Sequence, residues 1–390
     1  MVQHIISHFY KKKKVVSRNY FLRKCKAILR FRFGNAEWAA KEFIQLLRES
    51  GSVSNLAIAK RLIQAQVYEE VLEYLFEQLE GEGSQTDRAE IKYLIACCHL
   101  NQGQIRAAKQ AMEEALLLCP ERTEFYEVMT SCLLEAGDWR GAIETLRKAL
   151  LFQPKQSDLL YRLGTILALH GEKEDALRSF QGCCHLDKHH PLFWEAKGEI
   201  HLQLEQIEQA CVCYEKAWLY GAKPEALARV AYCHIQMNRI AKGIKNYKKV
   251  LKYEPDHYDA LCNLAAVYEN QNRSQEALQL LEKALTLQAN DAILLNNMAY
   301  TLVRLGRLRK AAERYQEALQ LGPKQPLILY NYSVCLAKKG NWEEGITVLK
   351  ELLAVDQDHA EGWALLGNIH DELSNYETAV DCYNRSLALA

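Results

Sequence analysis

The sequence repeats itself every 34 residues, and that period constrains the fold more than any other feature. Three asparagines mark it: Asn263, Asn297 and Asn331 recur within Leu261-Cys262-Asn263-Leu264, Leu295-Asn296-Asn297-Met298 and Leu329-Tyr330-Asn331-Tyr332. A column of small residues keeps step with them: Ala108, Ala142, Ala176, Ala210, Gly243, Ala277, Ala311, Gly345 and Ala379, with one interval of 33 before Gly243. A fixed period of this length implies a stack of like units, each burying an apolar face against its neighbour. A chain of 390 residues is too long for one compact core and suits such a stack.

A second small column precedes the first by 12 residues: Ala96, Thr130, Gly164, Gly198, Ala231, Ala265, Ala299, Ser333 and Gly367. Two small columns facing each other let two helices approach closely while larger side chains fill the gaps. Gly103, Gly137, Gly171, Gly306 and Gly340, with Asn238 and Asn272 as substitutes, stand where the first helix of each unit must stop. The seven prolines (Pro120, Pro154, Pro191, Pro224, Pro255, Pro323 and Pro326) all fall between units, sparing the helix interiors they would break.

These residues resemble the tetratricopeptide repeat, a 34-residue helix–turn–helix with large residues at its fourth and seventh positions and small ones at its eighth and twentieth. Trp194 and Trp363 match the family tryptophan. The resemblance implies an all-α, right-handed superhelical solenoid of about nine to ten repeats, strict over residues 87–390. Residues 36–86 read as degenerate helical repeats closed by a linker-like stretch, Gly81 to Asp87, and residues 1–35 as a basic amphipathic segment.

Charge sharpens that division. Lys+Arg and Asp+Glu both total 49, yet residues 1–36 hold ten basic residues and no acidic one, leaving the remainder at a net charge of −10. Phe21, Leu22, Cys25, Ile28 and Leu29 share one face of a helix in the leader. Such a helix suits capping the first repeat, docking on a partner, an anionic membrane surface or, more weakly, nucleic acid or organelle targeting. Thirteen cysteines without a CxxC pair are neither a zinc framework nor a set of disulfides, and point to a reducing, cytoplasmic setting, peripheral to a membrane if the leader binds one.

Catalysis is not written here: the chain has no P-loop, dinucleotide-binding glycine fingerprint, GxSxG elbow or HExxH. No cofactor is expected. Cys183, Cys184, His185, His189 and His190 form the densest run of metal-competent residues, but Cys183 occupies a packing position and the histidines an inter-repeat turn, so no metal is expected either. His99, His201, His234 and His370 share the eleventh position, where the family usually carries tyrosine, and read as packing residues. Leu387 and Leu389 are expected to be exposed and to favour self-association through the last repeat.

The asparagines carry the functional expectation. In the family, first helices line a concave groove and the sixth position points into it. The row Asn263, Asn297 and Asn331 is similar to the ladder in the superhelical arm of O-linked N-acetylglucosamine transferase, where asparagines hold the main chain of an extended polypeptide. An amide offers the donor and the acceptor that a peptide backbone needs. The resemblance implies a peptide-binding scaffold or adaptor using Asn263, Asn297, Asn331 and Asn296. Tyr300 and Tyr330 would add aromatic surface, and Arg162 and Arg229 a preference for acidic groups. Alternatives are a peripheral-membrane assembly factor or a recruiting subunit of a separate enzyme.

Overall fold

A computed structural model describes residues 44–45, 56–81 and 83–389. The basic segment 1–35, and residues 36–43 and 46–55 of the degenerate region, lie outside the described residues. Among the described residues the structure is all-α, twenty helices packed in consecutive pairs. The chain divides between Lys188 and His189 into two compact units.

The first unit contains α1 (Leu56–Gln64), α2 (Glu69–Glu80), α3 (Gln85–Asn101), α4 (Ile105–Leu118), α5 (Thr123–Glu135), α6 (Trp139–Phe152), α7 (Ser157–Leu169) and α8 (Lys173–Leu186). The irregular pair α1–α2 buries Ala59, Leu62, Val71, Tyr74 and Leu75 in one cluster with Ile91, Leu94 and Cys98 of α3. The expected linker before α3 is shorter than its composition suggests. Ser84 and Asp87 form a reciprocal capping box, so Gln85 to Asp87 already belong to the helix.

The second unit runs through α9 (Pro191–Gln203), α10 (Ile207–Leu219), α11 (Pro224–Gln236), α12 (Ile240–Tyr253), α13 (Tyr258–Asn270) and α14 (Ser274–Leu287). It continues with α15 (Ala292–Arg304), α16 (Leu308–Gln320), α17 (Pro326–Lys339), α18 (Trp342–Val355), α19 (Ala360–Glu372) and α20 (Tyr376–Leu389). Three of the prolines, Pro191, Pro224 and Pro326, open helices, where the missing N–H costs nothing and the fixed φ helps.

The two small columns meet inside each pair. Every alanine of the twentieth-position column is at most 2% exposed. Where the eighth position is glycine the partner is an aromatic ring: a Cβ on Gly164 would lie 2.8 Å from Phe180, on Gly198 3.1 Å from Tyr214, and on Gly367 2.6 Å from Tyr383. Opposite Leu281 the same position is Ala265, and opposite Leu349 it is Ser333, all four buried. A ring sixteen residues on fills the space a side chain would otherwise take.

The left-handed turn after each first helix falls on the expected glycines and on Asn238 and Asn272, but also on Gln66 (φ 64°), Glu205 (φ 57°) and Ser374 (φ 59°). Those three residues are held in a backbone conformation that costs ordinary L-residues about 1–2 kcal/mol. The structural period is therefore stricter than the glycine pattern that advertises it.

Candidate functional site

The asparagines lie on α13, α15 and α17, and two braces join the first two of these helices. At one end Tyr258 Oη donates to Asp291 Oδ2 at 2.6 Å, while Asp291 caps α15 by accepting from the N–H groups of Ile293 and Leu294 at 2.8 and 3.0 Å. Burial alone would raise the Asp291 carboxyl, but Tyr258 and the two backbone N–H groups outweigh it and hold it below the usual range. At the other end Arg304 donates to the Glu269 carbonyl at 3.0 Å, to Glu269 Oε2 at 3.2 Å and to Asn272 Oδ1. Arg304 is thus a strut between neighbouring first helices.

Within this frame the asparagines part company. Asn263 and Asn297 are exposed, and among the described residues nothing hydrogen-bonds the Asn263 amide. Asn331 is half-buried and donates through Nδ2 to Asn296 Oδ1 at 3.1 Å; Asn296 in turn donates to Asn297 Oδ1 at 3.3 Å. Asn296 is only 4% exposed, so the expectation that it contacts a ligand is corrected: it relays an amide chain whose open end is the Asn297 Nδ2. Satisfying a buried amide matters more than presenting it, because an unpaired one costs about 1–3 kcal/mol.

Sequence reasoning missed an apolar border to this face. Ile293 (60% exposed) lies four residues before Asn297 on α15 and Leu327 (62%) four before Asn331 on α17, adding to the aromatic surface already expected at Tyr300 (45%). The signal was available, since Ile293 and Leu327 fill the second position of their repeats, where Glu225 and Asp259 stand earlier in the chain. Tyr330 is half-buried and stacks on His359 at 5.1 Å.

The arginines are not free cations. Arg162, in the first unit, pairs with Glu127 at 3.5 Å and reaches Ser131. Arg229, in the second, pairs with Glu225 at 3.4 Å, and Glu225 also meets His257 at 2.9 Å. Burial works against the Arg229 charge, but Tyr214, Glu199, Glu225 and Asp259 outweigh it and keep the guanidinium protonated. Glu195 is pushed up by burial and by Glu225. Three carboxylates, Glu199, Glu225 and Asp259, thus surround one guanidinium, with Glu195 beside Glu225, and the α9–α13 end of this face is acidic. That is the reverse of the acidic-group preference expected from the arginines alone.

The histidine column behaves as packing. His201 and His234 are buried, and burial lowers both below the ordinary imidazole value. His99 and His201 bond through Nδ1 to Gln104 and Gln206 at 2.6 and 2.7 Å. Cys183 and Cys184 are buried whereas His185, His189 and His190 are exposed. The twelve described cysteines are free thiols, ten of them buried, consistent with their use as small apolar side chains. Leu387 is 76% and Leu389 39% exposed. Among the described residues no helix is long and apolar enough to cross a membrane.

Sequence models described as tetratricopeptide repeat match residues 89–122, 133–187, 193–217, 231–292, 302–369 and 360–390, together well over half of the chain. No curated protein is similar enough to count as a relative. Among solved structures, the chain is similar to a tetratricopeptide repeat protein from Parabacteroides merdae, at 17% identity and a TM-score of 0.49, with 63% of this chain and 98% of that one covered. It is also similar to the APC/C hetero-tetramer Cut9–Hcn1 at 14% identity and a TM-score of 0.47, covering 96% and 94% of the two chains. MamA aligns at 22% identity and a TM-score of 0.39, covering 40% of this chain and 93% of its own.

Proposed function

Since the chain belongs to the tetratricopeptide repeat family, whose members are generally protein-interaction scaffolds and typically not enzymes, we propose that it is a non-enzymatic scaffold that binds an extended peptide or disordered segment along α13, α15 and α17. The observation that carries this reading is the Asn297 neighbourhood. An amide with an unused donor lies on α15 between exposed Ile293 and Tyr300, with exposed Leu327 on the next first helix and the unbonded Asn263 amide one repeat before. Backbone-pairing amides beside apolar side chains suit a segment that orders on binding, gaining affinity from several modest contacts. The likeness to the asparagine ladder of the glycosyltransferase arm supports the same reading. The acidic end around Glu195, Glu199, Glu225 and Asp259 favours a ligand with basic residues there, with Arg229 as an internal counter-ion.

A peptide display library selected on the whole chain tests this. Selected peptides should lose about tenfold to a hundredfold in affinity against Asn263→Ala/Asn297→Ala, the loss of two ordinary hydrogen-bonded pairs. The chain should still fold, its stability lowered only by the cost of stranding the Asn296 Nδ2, about 1–3 kcal/mol. Equal affinity for both proteins would remove the amides from the site.

A second reading is favoured by the ten basic residues and absent carboxylates of residues 1–36: a peripheral-membrane assembly factor held through that segment. Flotation with anionic vesicles, lost on deleting residues 1–35 and weakened by salt, would support it.

A further inference from the structure

Three metal-competent side chains that no sequence motif announces converge between α10 and α11. Cys211 and Glu215 stand one helical turn apart on α10, and His234 comes from α11, the first helix of the next repeat. Their ligand atoms all lie within 4.8 Å of one another. Cys211 Sγ and Glu215 Oε1 are 3.9 Å apart, and so are His234 Nε2 and Glu215 Oε1. Tetrahedral zinc, with bonds of about 2.0–2.3 Å, separates its ligands by about 3.4–3.6 Å. The two pairs that share Glu215 therefore need to close by only a few tenths of an ångström, and Cys211 and His234, within 4.8 Å of each other, by roughly 1 Å at most.

His234 supplies the second observation. It is 7% exposed, its Nδ1 is buried with no hydrogen-bond partner, and its Nε2 stands too far from Glu215 for a hydrogen bond. In the same column His99 and His201 are satisfied by the residue five places on, Gln104 and Gln206. For His234 that residue is Arg239, which has no acceptor to offer. The repeat thus leaves the Nδ1 edge of this imidazole unbonded, while its Nε2, beyond hydrogen-bond distance of Glu215, is the nitrogen open to a ligand.

We propose that Cys211, Glu215 and His234 form a divalent transition-metal site, selective for zinc, that ties one repeat of the second unit to the next. A thiolate, an imidazole and a carboxylate are a zinc donor set rather than a magnesium or calcium one. Binding displaces the thiol proton to solvent, so the two anionic ligands balance the dication, and the nearby Arg239 and Lys242 favour the thiolate form of Cys211. The fourth coordination position faces the exposed side of Glu215 and takes water. The neighbouring Cys233 thiol is not one of the three converging ligands. Closing the set braces α10 against α11, and hence the acidic end of the peptide face, whose Arg229 lies on the same α11.

Cobalt and zinc titration of the full, chelator-stripped chain tests this. Wild type should bind one equivalent of Co²⁺ with a thiolate-to-cobalt charge-transfer band, displaced by Zn²⁺, and zinc should raise its melting temperature. Cys211→Ser should lack the band, whereas Cys97→Ser, in the other unit, should keep it. Glu215 is 54% exposed, so Glu215→Gln should fold and melt like metal-free wild type. It should nevertheless bind Co²⁺ at least tenfold more weakly, since even outer-shell changes cost about 10–100-fold. Absence of the band in wild type, its survival in Cys211→Ser, or unchanged affinity in Glu215→Gln would each overturn the proposal.

Discussion

Asn263 and Asn331 occupy the same position of their repeats, and they do different work. Asn263 on α13 is exposed with an amide no described residue bonds; Asn331 on α17 is half-buried and spends its Nδ2 on Asn296. The difference lies 35 residues upstream. Opposite Asn331 stands Asn296, opposite Asn297 stands Cys262, and opposite Asn263 stands Ala228. Only the first offers a strong acceptor. A repeat position decides where a side chain starts, and the preceding repeat decides whether it is available to a ligand.

The closed extreme of this contrast is the eighth position, where a neighbour fills the space completely. Gly164→Ala should cost about 1–3 kcal/mol, because its Cβ would meet the Phe180 ring. Adding Phe180→Leu should recover most of it by recreating the Ala265/Leu281 pairing, as a double-mutant cycle in urea would read. Next in size, Asn331→Ala should cost about 1–3 kcal/mol by stranding the buried Asn296 amide. Asn263→Ala should stay within about 0.5 kcal/mol, and equal costs would erase the distinction between the two.

Cys262→Asn sharpens the comparison from the other side. It sets an acceptor opposite Asn297 and should weaken binding of selected peptides by severalfold while the fold persists, read by peptide titration beside a thermal melt. Acidity separates buried from open histidines. Burial lowers His201 in the folded chain, so the unfolded chain binds the proton more readily. Its contribution to stability is complete above about pH 6.5 and is lost as pH falls from there toward the folded value. His201→Gln should flatten that part of the melting-temperature profile. At the turn after α19, Ser374→Gly should relieve the left-handed conformation and gain up to about 1 kcal/mol in a thermal melt.

Much of the fold was legible because repetition multiplies weak signals. Ala96 and Ala108 alone say little, but nine copies of the pair at one spacing specify a helix pair whose two members must touch. Ser84 and Asp87 were legible too, since a capping box is a local pattern, although the polar stretch around them reads more readily as linker. The candidate site was less open. Asn263 and Asn297 stand exposed, as their column implies, whereas Asn296 turned inward and Arg229 proved to be enclosed by Glu199, Glu225 and Asp259.

The sequence by itself determined the period, the helix pairs, the turns between them and the family, because each depends on residues close in the chain or on one spacing repeated many times. Tertiary structure alone decided which polar groups face one another across repeats. It set Asn331 on Asn296, Arg304 on Glu269, and Cys211 and Glu215 beside His234. Such meetings depend on distances of a few ångströms between side chains about 20 to 35 residues apart, and a hydrogen bond or a metal ligand is made or lost within one of them.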